Sequence, residues 1–174
     1  MSYKLEPAQS VYPGLIRKIT LAGMNPKNQW FFSDGAFTPE TIVSSTVNTW
    51  LSEDFVVLDD DGIIAFFSAK WVRPLDILNS LRIILFDESK SILTAKAFFE
   101  YLDYLFSARG CNALNWIVAE KNEHAYKLYE KFINKYMGHR VGKRYYGQKS
   151  YAGKISDVIL YEITKEEYFE WKNK

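Results

Sequence analysis

The segment NEHAYKLYEKF, residues 122–132, follows almost directly on ALNWIV, residues 113–118, and the junction between them decides how this chain is read. ALNWIV is an apolar run of strand length. Beyond it Ala125, Leu128, Tyr129, Phe132 and Tyr136 recur at helical spacing and line one stripe. Asn122 stands at the helix start and Tyr129 seven residues on; at about 3.6 residues per turn the two return to nearly the same azimuth. By residue type alone, Asn122 reads as a cap and Tyr129 as a core aromatic with a solvated hydroxyl.

Working outward toward the N-terminus, Phe98, Tyr101, Leu102, Leu105 and Phe106 form another helical stripe that Gly110 stops. Before it, SLRIILF, residues 80–86, is a buried strand. DFVVLDDDGIIAFFSAKWV, residues 54–72, holds two β-rich runs around Asp-Asp-Asp-Gly, the composition of a tight hairpin turn. Thr38, Pro39 and Glu40 supply a cap, a first-turn proline and a first-turn acid, predicting a helix over residues 39–50. The aromatic stretch MNPKNQWFFSDGAF, residues 24–37, reads as an ordered loop. Pro13 and Gly23 bracket an earlier helix, and YKLEP, residues 3–7, opens as a strand. Toward the C-terminus ISDVILYEI, residues 155–163, is a late strand. The elements alternate as a mixed α/β pattern over one domain, residues 1–174, without internal repeat or linker.

Composition narrows the function classes. The net charge of +1 leaves anion binding to local patches. The longest apolar run, IIAFFSA, is far short of the roughly 18 residues that cross a bilayer, and residues 1–10 lack a signal-peptide core. The chain therefore reads as soluble, unexported and cytoplasmic, with no membrane partner. Cys111, the only cysteine, reads as a small buried hydrophobe, and two histidines with one cysteine support neither a metal site nor a cysteine nucleophile.

Asn122-x-x-Ala125-x-x-Leu128-Tyr129-Glu130-Lys131 directly after a fifth strand, together with the element order, resembles the GNAT superfamily of acyl-CoA-dependent N-acetyltransferases. The order of elements covers most of the chain; residue identity covers this one segment. The resemblance implies an α/β (α+β) fold: a mixed, mostly antiparallel central sheet with helices on both faces and a splayed strand 4/strand 5 pair. It implies an N-acetyltransferase moving an acetyl group from acetyl-CoA, a co-substrate, to a primary amine by direct attack in a ternary complex. Asn122 would then hydrogen-bond the pantetheine arm, and Tyr129 would protonate the departing thiolate.

The sequence departs from the family where the pyrophosphate is bound. In place of Arg/Gln-x-x-Gly-x-Gly/Ala it has FDESKS, with Phe86 in the Arg/Gln position and Ser89 and Ser91 in the glycine positions. No glycine lies between Ile63 and Arg109. Serines restrict a turn that glycines leave open, yet their hydroxyls and amides donate to phosphate, and Lys90 adds a charge. Phe86, Ser89, Lys90, Ser91, Ile92, Asn122 and Tyr129 are thus the expected coenzyme contacts. Asp87 and Glu88 are candidate bases by position, with Tyr129 completing the catalytic set; backbone N–H groups around residues 86–88 would polarise the thioester. The competing reading makes Ser89 or Ser91 the helix cap and the two acids dipole partners on a solvated turn.

Residues 131–154 carry seven Lys or Arg and no Asp or Glu, interleaved with Tyr136, Tyr145, Tyr146 and Tyr151. Such a segment can track a phosphate backbone, which keeps nucleic acid in view, but a solvated strand pair is the preferred reading. The alternative function is accordingly a catalytically inactive GNAT-like binding or regulatory protein contacting nucleic acid through this segment. The 17% aromatic content also leaves room for a homodimer contact.

Overall fold

The computed structural model describes residues 2–25, 28, 30, 51–150 and 152–174. The expected helix at 39–50, most of the aromatic loop at 24–37, and Tyr151 lie outside these residues.

Seven strands form one sheet in the order β1-β2-β3-β4-β5-β7-β6. They are β1 Lys4–Pro7, β2 Ser52–Asp59, β3 Gly62–Val72, β4 Ile77–Leu85, β5 Ala113–Ala119, β6 His139–Lys149 and β7 Ile155–Thr164. All neighbours run antiparallel except β4 and β5. The Asp-Asp-Asp-Gly segment makes the β2–β3 turn as its composition dictates, with Gly62 at φ +110°.

Four helices are described: α1 Tyr12–Met24, α2 Ser91–Asp103, α3 Glu123–Lys135 and α4 Lys165–Lys172. They divide between the two faces of the sheet. On one face, Leu15 and Ile19 of α1 bury against Val56, Phe66 and Ile84. On the other, α2, α3 and α4 cover Phe67, Leu78, Leu114, Trp116 and Tyr161. Aromatics dominate this second core: Phe67 meets Phe98 edge-on at 5.6 Å, and Phe106 stacks on Tyr168 at 4.9 Å. Each such pair adds about 1 kcal/mol beyond the area it buries.

Several sequence expectations need correction. Leu128 is 53% exposed and does not belong to the α3 stripe, in which Ala125, Tyr126, Tyr129, Phe132 and Ile133 are half-buried against the core instead. The α2 helix continues through a π-helical turn, Tyr104–Ala108, before Gly110 ends it at φ +69°. Helix α4 escaped the sequence reading. Its signal is a capping box: Thr164 Oγ1 accepts from Glu167 N–H while the Glu167 carboxylate accepts from Thr164 N–H. Cys111 is fully buried, its Sγ–H directed at Ala113 O, and burial raises its pKa.

Candidate active site

The expected splay is present. Strands β4 and β5 pair only at Ile77↔Ala113 and Leu78↔Leu114, at their shared N-terminal ends. The cause is local to β4. Ser68↔Arg82 and Lys70↔Asn79 are successive pairs on the β3 side, so β4 carries one extra residue there, and Ser80 sits at φ +56°. Such a bulge bends its strand, while β5 stays zipped to β7 from Ala113 to Ala119. The β4 backbone therefore parts from β5 beyond Leu78.

What lines the gap follows from strand alternation. Phe86 N–H donates to Ile64 O at 2.9 Å, which turns the backbone groups of Ile83 and Leu85 the other way, toward β5. On β5, Glu120 N–H donates to Asp157 O, so Asn115 and Ile117 present their backbone groups toward β4. Ile83, Leu85, Ile117 and the Asn115 C=O have no strand partner among the described residues, the Asn115 N–H being engaged by the Leu78↔Leu114 pair, and unmet backbone groups need one. Beside them opens a cleft of about 290 Å3 lined by Asn79, Ser80, Asn115, Trp116, Arg144 and Tyr161, among others. Asn115 Oδ1 and Trp116 Nε1 are buried without a hydrogen-bond partner among the described residues. An acceptor and a donor left unmet beside a gap of unmet amides suit a slender amide-bearing ligand.

Tyr129 packs beside this gap through Trp116 and Tyr161, at ring-centroid distances of 5.3 and 6.1 Å. Its hydroxyl makes no hydrogen bond to a described residue. Burial raises its pKa well above the usual phenol value, so it remains a proton donor at neutral pH. Asn122 caps α3, its Oδ1 accepting from Ala125 N–H at 3.4 Å, which leaves the side-chain NH2 for a ligand. The neighbouring phenol of Tyr161 is committed, donating to Glu130 Oε1 at 2.6 Å.

The turn after β4 is arranged differently from expectation. Neither Ser89 nor Ser91 caps the helix. Asp87 caps the 3-10 turn Glu88–Lys90 that leads into α2, accepting from both Ser89 N–H (2.9 Å) and Ser89 Oγ–H (2.7 Å). These bonds hold the Asp87 carboxyl below its ordinary pKa. Both Ser89 donors thus serve an internal carboxylate. Lys90 is likewise engaged, pairing with Asp59 at 2.6 Å and Asp61 at 3.1 Å across the β2–β3 hairpin, and these partners raise its pKa. The Phe86 N–H is spent on Ile64, which removes it from the set of oxyanion donors; its ring packs on the α1 side, with Lys18 Nζ 5.9 Å from the ring centroid. Glu88, Ser91 and Ile92 are exposed at the start of α2.

Sequence reasoning missed the polar floor beside the cleft. Asp54, 4% exposed, shares one sheet face with Ser68, Lys70 and Arg82 through the cross-strand pairs Asp54↔Ser68↔Arg82 and Ser52↔Lys70↔Asn79. Burial raises the Asp54 pKa despite the Ser52 Oγ–H bond at 2.6 Å. On the opposite face, buried Glu53 accepts from Trp71 Nε1 (2.8 Å), Arg109 Nε (2.7 Å) and the Tyr104 hydroxyl (3.0 Å). The available signal was charge at alternate positions of strands read as buried.

The basic segment also changes character in three dimensions. Arg140 pairs with Glu130 at 2.7 Å, and Lys143 with Glu120 at 2.9 Å and Asp157 at 3.1 Å. A stretch without acids in sequence thus meets acids from α3, the end of β5 and β7. Tyr136 packs into the aromatic core, whereas Tyr145 and Tyr146 are 70% and 81% exposed.

No family model matches the chain, and no curated protein matches it by sequence. Solved structures do. The chain aligns with spermidine N-acetyltransferase from Vibrio cholerae in complex with CoA and spermine at a TM-score of 0.75 and 19% identity, covering 96% of this chain and 98% of that one. A mutant of the Vibrio cholerae enzyme gives 0.74 and 17%, covering 99% and 98%. Another crystal structure described as an acetyltransferase gives 0.70 and 19%, covering 98% and 87%. The chain has the GNAT fold, with its mostly antiparallel sheet and splayed parallel pair.

Proposed function

We propose that the protein is an N-acetyltransferase that moves an acetyl group from acetyl-CoA to a primary amine within a ternary complex. The observation that carries this reading is the β4–β5 gap, whose backbone groups at Ile83, Leu85 and Ile117, with the Asn115 C=O, lack strand partners among the described residues. Its two unmet buried polar atoms, Asn115 Oδ1 and Trp116 Nε1, support it further. A pantetheine arm presents amides at the spacing that such a gap can bind, and a neighbour of the same fold was crystallised with CoA and spermine.

In this reading the neutral amine attacks the thioester carbonyl and the C–S bond breaks. Tyr129 gives its proton to the departing thiolate, a role suited to a phenol kept protonated by burial. The Asn122 amide holds the arm. Glu88 and Asp87 are the candidate acceptors of the amine proton; Glu88 is exposed, whereas the Asp87 carboxylate is held by Ser89. Ser91 and Ile92 meet the phosphates at the start of α2, with Ser89 and Lys90 joining after exchanging their present partners.

One observation favours the second reading, a catalytically inactive GNAT-like binding or regulatory protein: Asp87 already occupies the Ser89 donors that a coenzyme phosphate would need. Calorimetry with acetyl-CoA, followed by turnover of amines, separates the two. Saturable heat with turnover that Tyr129→Phe suppresses supports the enzyme. Heat without turnover of any amine, or no heat at millimolar ligand, leaves the inactive binding or regulatory protein.

A further inference from the structure

The two carboxylates read from the sequence as bases stand at the far end of the gap from the reacting carbonyl. With the phosphates at the start of α2, the arm runs inward along β4 and carries the thioester toward the closed end, where Leu78 and Leu114 still pair. Ser80 bulges beside that end, and at about 3.3 Å per residue Asp87 and Glu88 lie roughly 20 Å farther along the chain. They adjoin the phosphates.

Glu162 of β7 stands at the closed end. It lines the cleft together with Asn79, Ser80 and Asn115, and it is the directly opposed partner of Asn115 in the β5–β7 ladder. Such partners point to one face, with Cβ atoms about 5 Å apart. Alternation fixes which face: Trp116 and Tyr161 turn toward α3 and meet Tyr129, so their neighbours Asn115 and Glu162 turn to the other side of the sheet. Tyr129 and Glu162 thus flank this end of the gap from opposite faces, which lets an amine enter on one side while the thiolate leaves toward the other. Behind Glu162 is a histidine. His139 of β6 opposes it in the β6–β7 ladder, with Nε2 3.6 Å from Glu162 Oε1. His139 Nδ1–H donates to Glu167 Oε1 at 2.9 Å, and the other oxygen of Glu167 accepts from Thr164 N–H in the α4 capping box. A carboxylate on Nδ1 sets the tautomer and leaves the Nε2 lone pair toward Glu162. The ring is half-exposed, which opens a path to solvent.

We propose, resting on the acetyltransferase reading above, that Glu162 is the general base of the transfer, with His139 positioning it and passing its proton to solvent. The neutral amine attacks the thioester carbonyl, the C–N bond forms, and the amine proton moves to Glu162 directly or through one water. The C–S bond breaks as Tyr129 protonates the thiolate. Glu162 then gives its proton to His139 Nε2 and on to solvent, from which the Tyr129 phenolate recovers one.

The test uses the full chain with acetyl-CoA and the best-used member of a panel of butylamine, ethanolamine, 2-phenylethylamine and spermidine. Glu162→Gln should lower kcat by about a hundredfold, the low end of what a general base contributes, while calorimetric affinity for acetyl-CoA stays within about twofold of wild type. Glu162→Asp keeps a carboxylate one methylene short; it should lose only about tenfold in kcat, and it reads the role even if the Gln variant fails to fold. His139→Ala should cost about tenfold in kcat, and imidazole added to the assay should restore part of it, which a purely structural ring would not allow. Turnover by Glu162→Gln within about threefold of wild type overturns the inference, as does a loss of about a hundredfold in Glu88→Gln with Glu162→Gln unaffected. Both outcomes leave the acetyltransferase reading standing. Acetyl-CoA binding without turnover of any amine by the wild type removes that reading and the inference with it.

Discussion

Tyr129 and Asp87 have the clearest expected signatures among single side chains. Tyr129→Phe keeps the ring against Trp116 and Tyr161 and removes only the proton donor. We expect kcat to fall by about a hundredfold with KM for acetyl-CoA changed less than twofold, as steady-state kinetics will show. Asp87→Asn keeps an oxygen for Ser89 but deletes a negative charge from the start of α2. Its expected effect is tighter acetyl-CoA binding, by about threefold to tenfold in calorimetry, and an unchanged or weaker affinity would show that the diphosphate does not approach this turn. A third residue reports on stability with pH. Lys172, then Tyr168 and Ser107, bond Asp103 and lower its pKa from 3.8 to about 2. A carboxyl depressed in the folded state contributes stability above its unfolded pKa and loses it as pH falls through the folded one. The stability difference between wild type and Asp103→Asn should therefore be constant above about pH 5 and shrink toward zero by about pH 1 in denaturant titrations.

Between elements, buried polar contacts tie pieces that sequence patterning cannot join. Glu53 on β2 links Trp71 on β3 with Tyr104 and Arg109 of the π-helical turn and its end. Replacing it with alanine leaves a buried indole N–H and a guanidinium without their acceptor, and chemical denaturation should register a loss of about 3 kcal/mol. Gly138, between α3 and β6, is a second such point: at φ +93° an added Cβ would stand 2.7 Å from Glu162 O. Gly138→Ala is expected to destabilise by more than the few tenths typical of a surface site. At the element scale the sequence was legible in type but not always in extent. The hairpin turn and helices α2 and α3 announce themselves through turn chemistry and periodicity. Leu128 misled because it sits among stripe residues by spacing yet faces solvent, an outcome set by where α3 rests on the sheet.

The whole molecule concentrates its expected ligand response in one seam. Binding of acetyl-CoA along β4 and β5 should slow hydrogen exchange at Ile83, Leu85 and Ile117 and raise the melting temperature with ligand concentration by mass action. Unchanged exchange at those three amides with bound ligand would move the coenzyme elsewhere. The basic segment makes the converse point about scale. Its seven cations look unopposed along the chain, but folding sets Glu130, Glu120 and Asp157 beside Arg140 and Lys143.

From the sequence alone, the alternation of apolar periods and the turn residues determined the order and type of the elements, and the Asn122 to Lys131 motif pointed to the GNAT fold, because short-range sterics and periodicity are written residue by residue. Only the tertiary structure decided where the strands part and what charge borders the opening. The bulge at Ser80 is an event of register between β3 and β4, and the polar floor of Asp54, Lys70 and Arg82 is assembled from three strands. Both depend on pairings between distant residues, which local pattern does not encode.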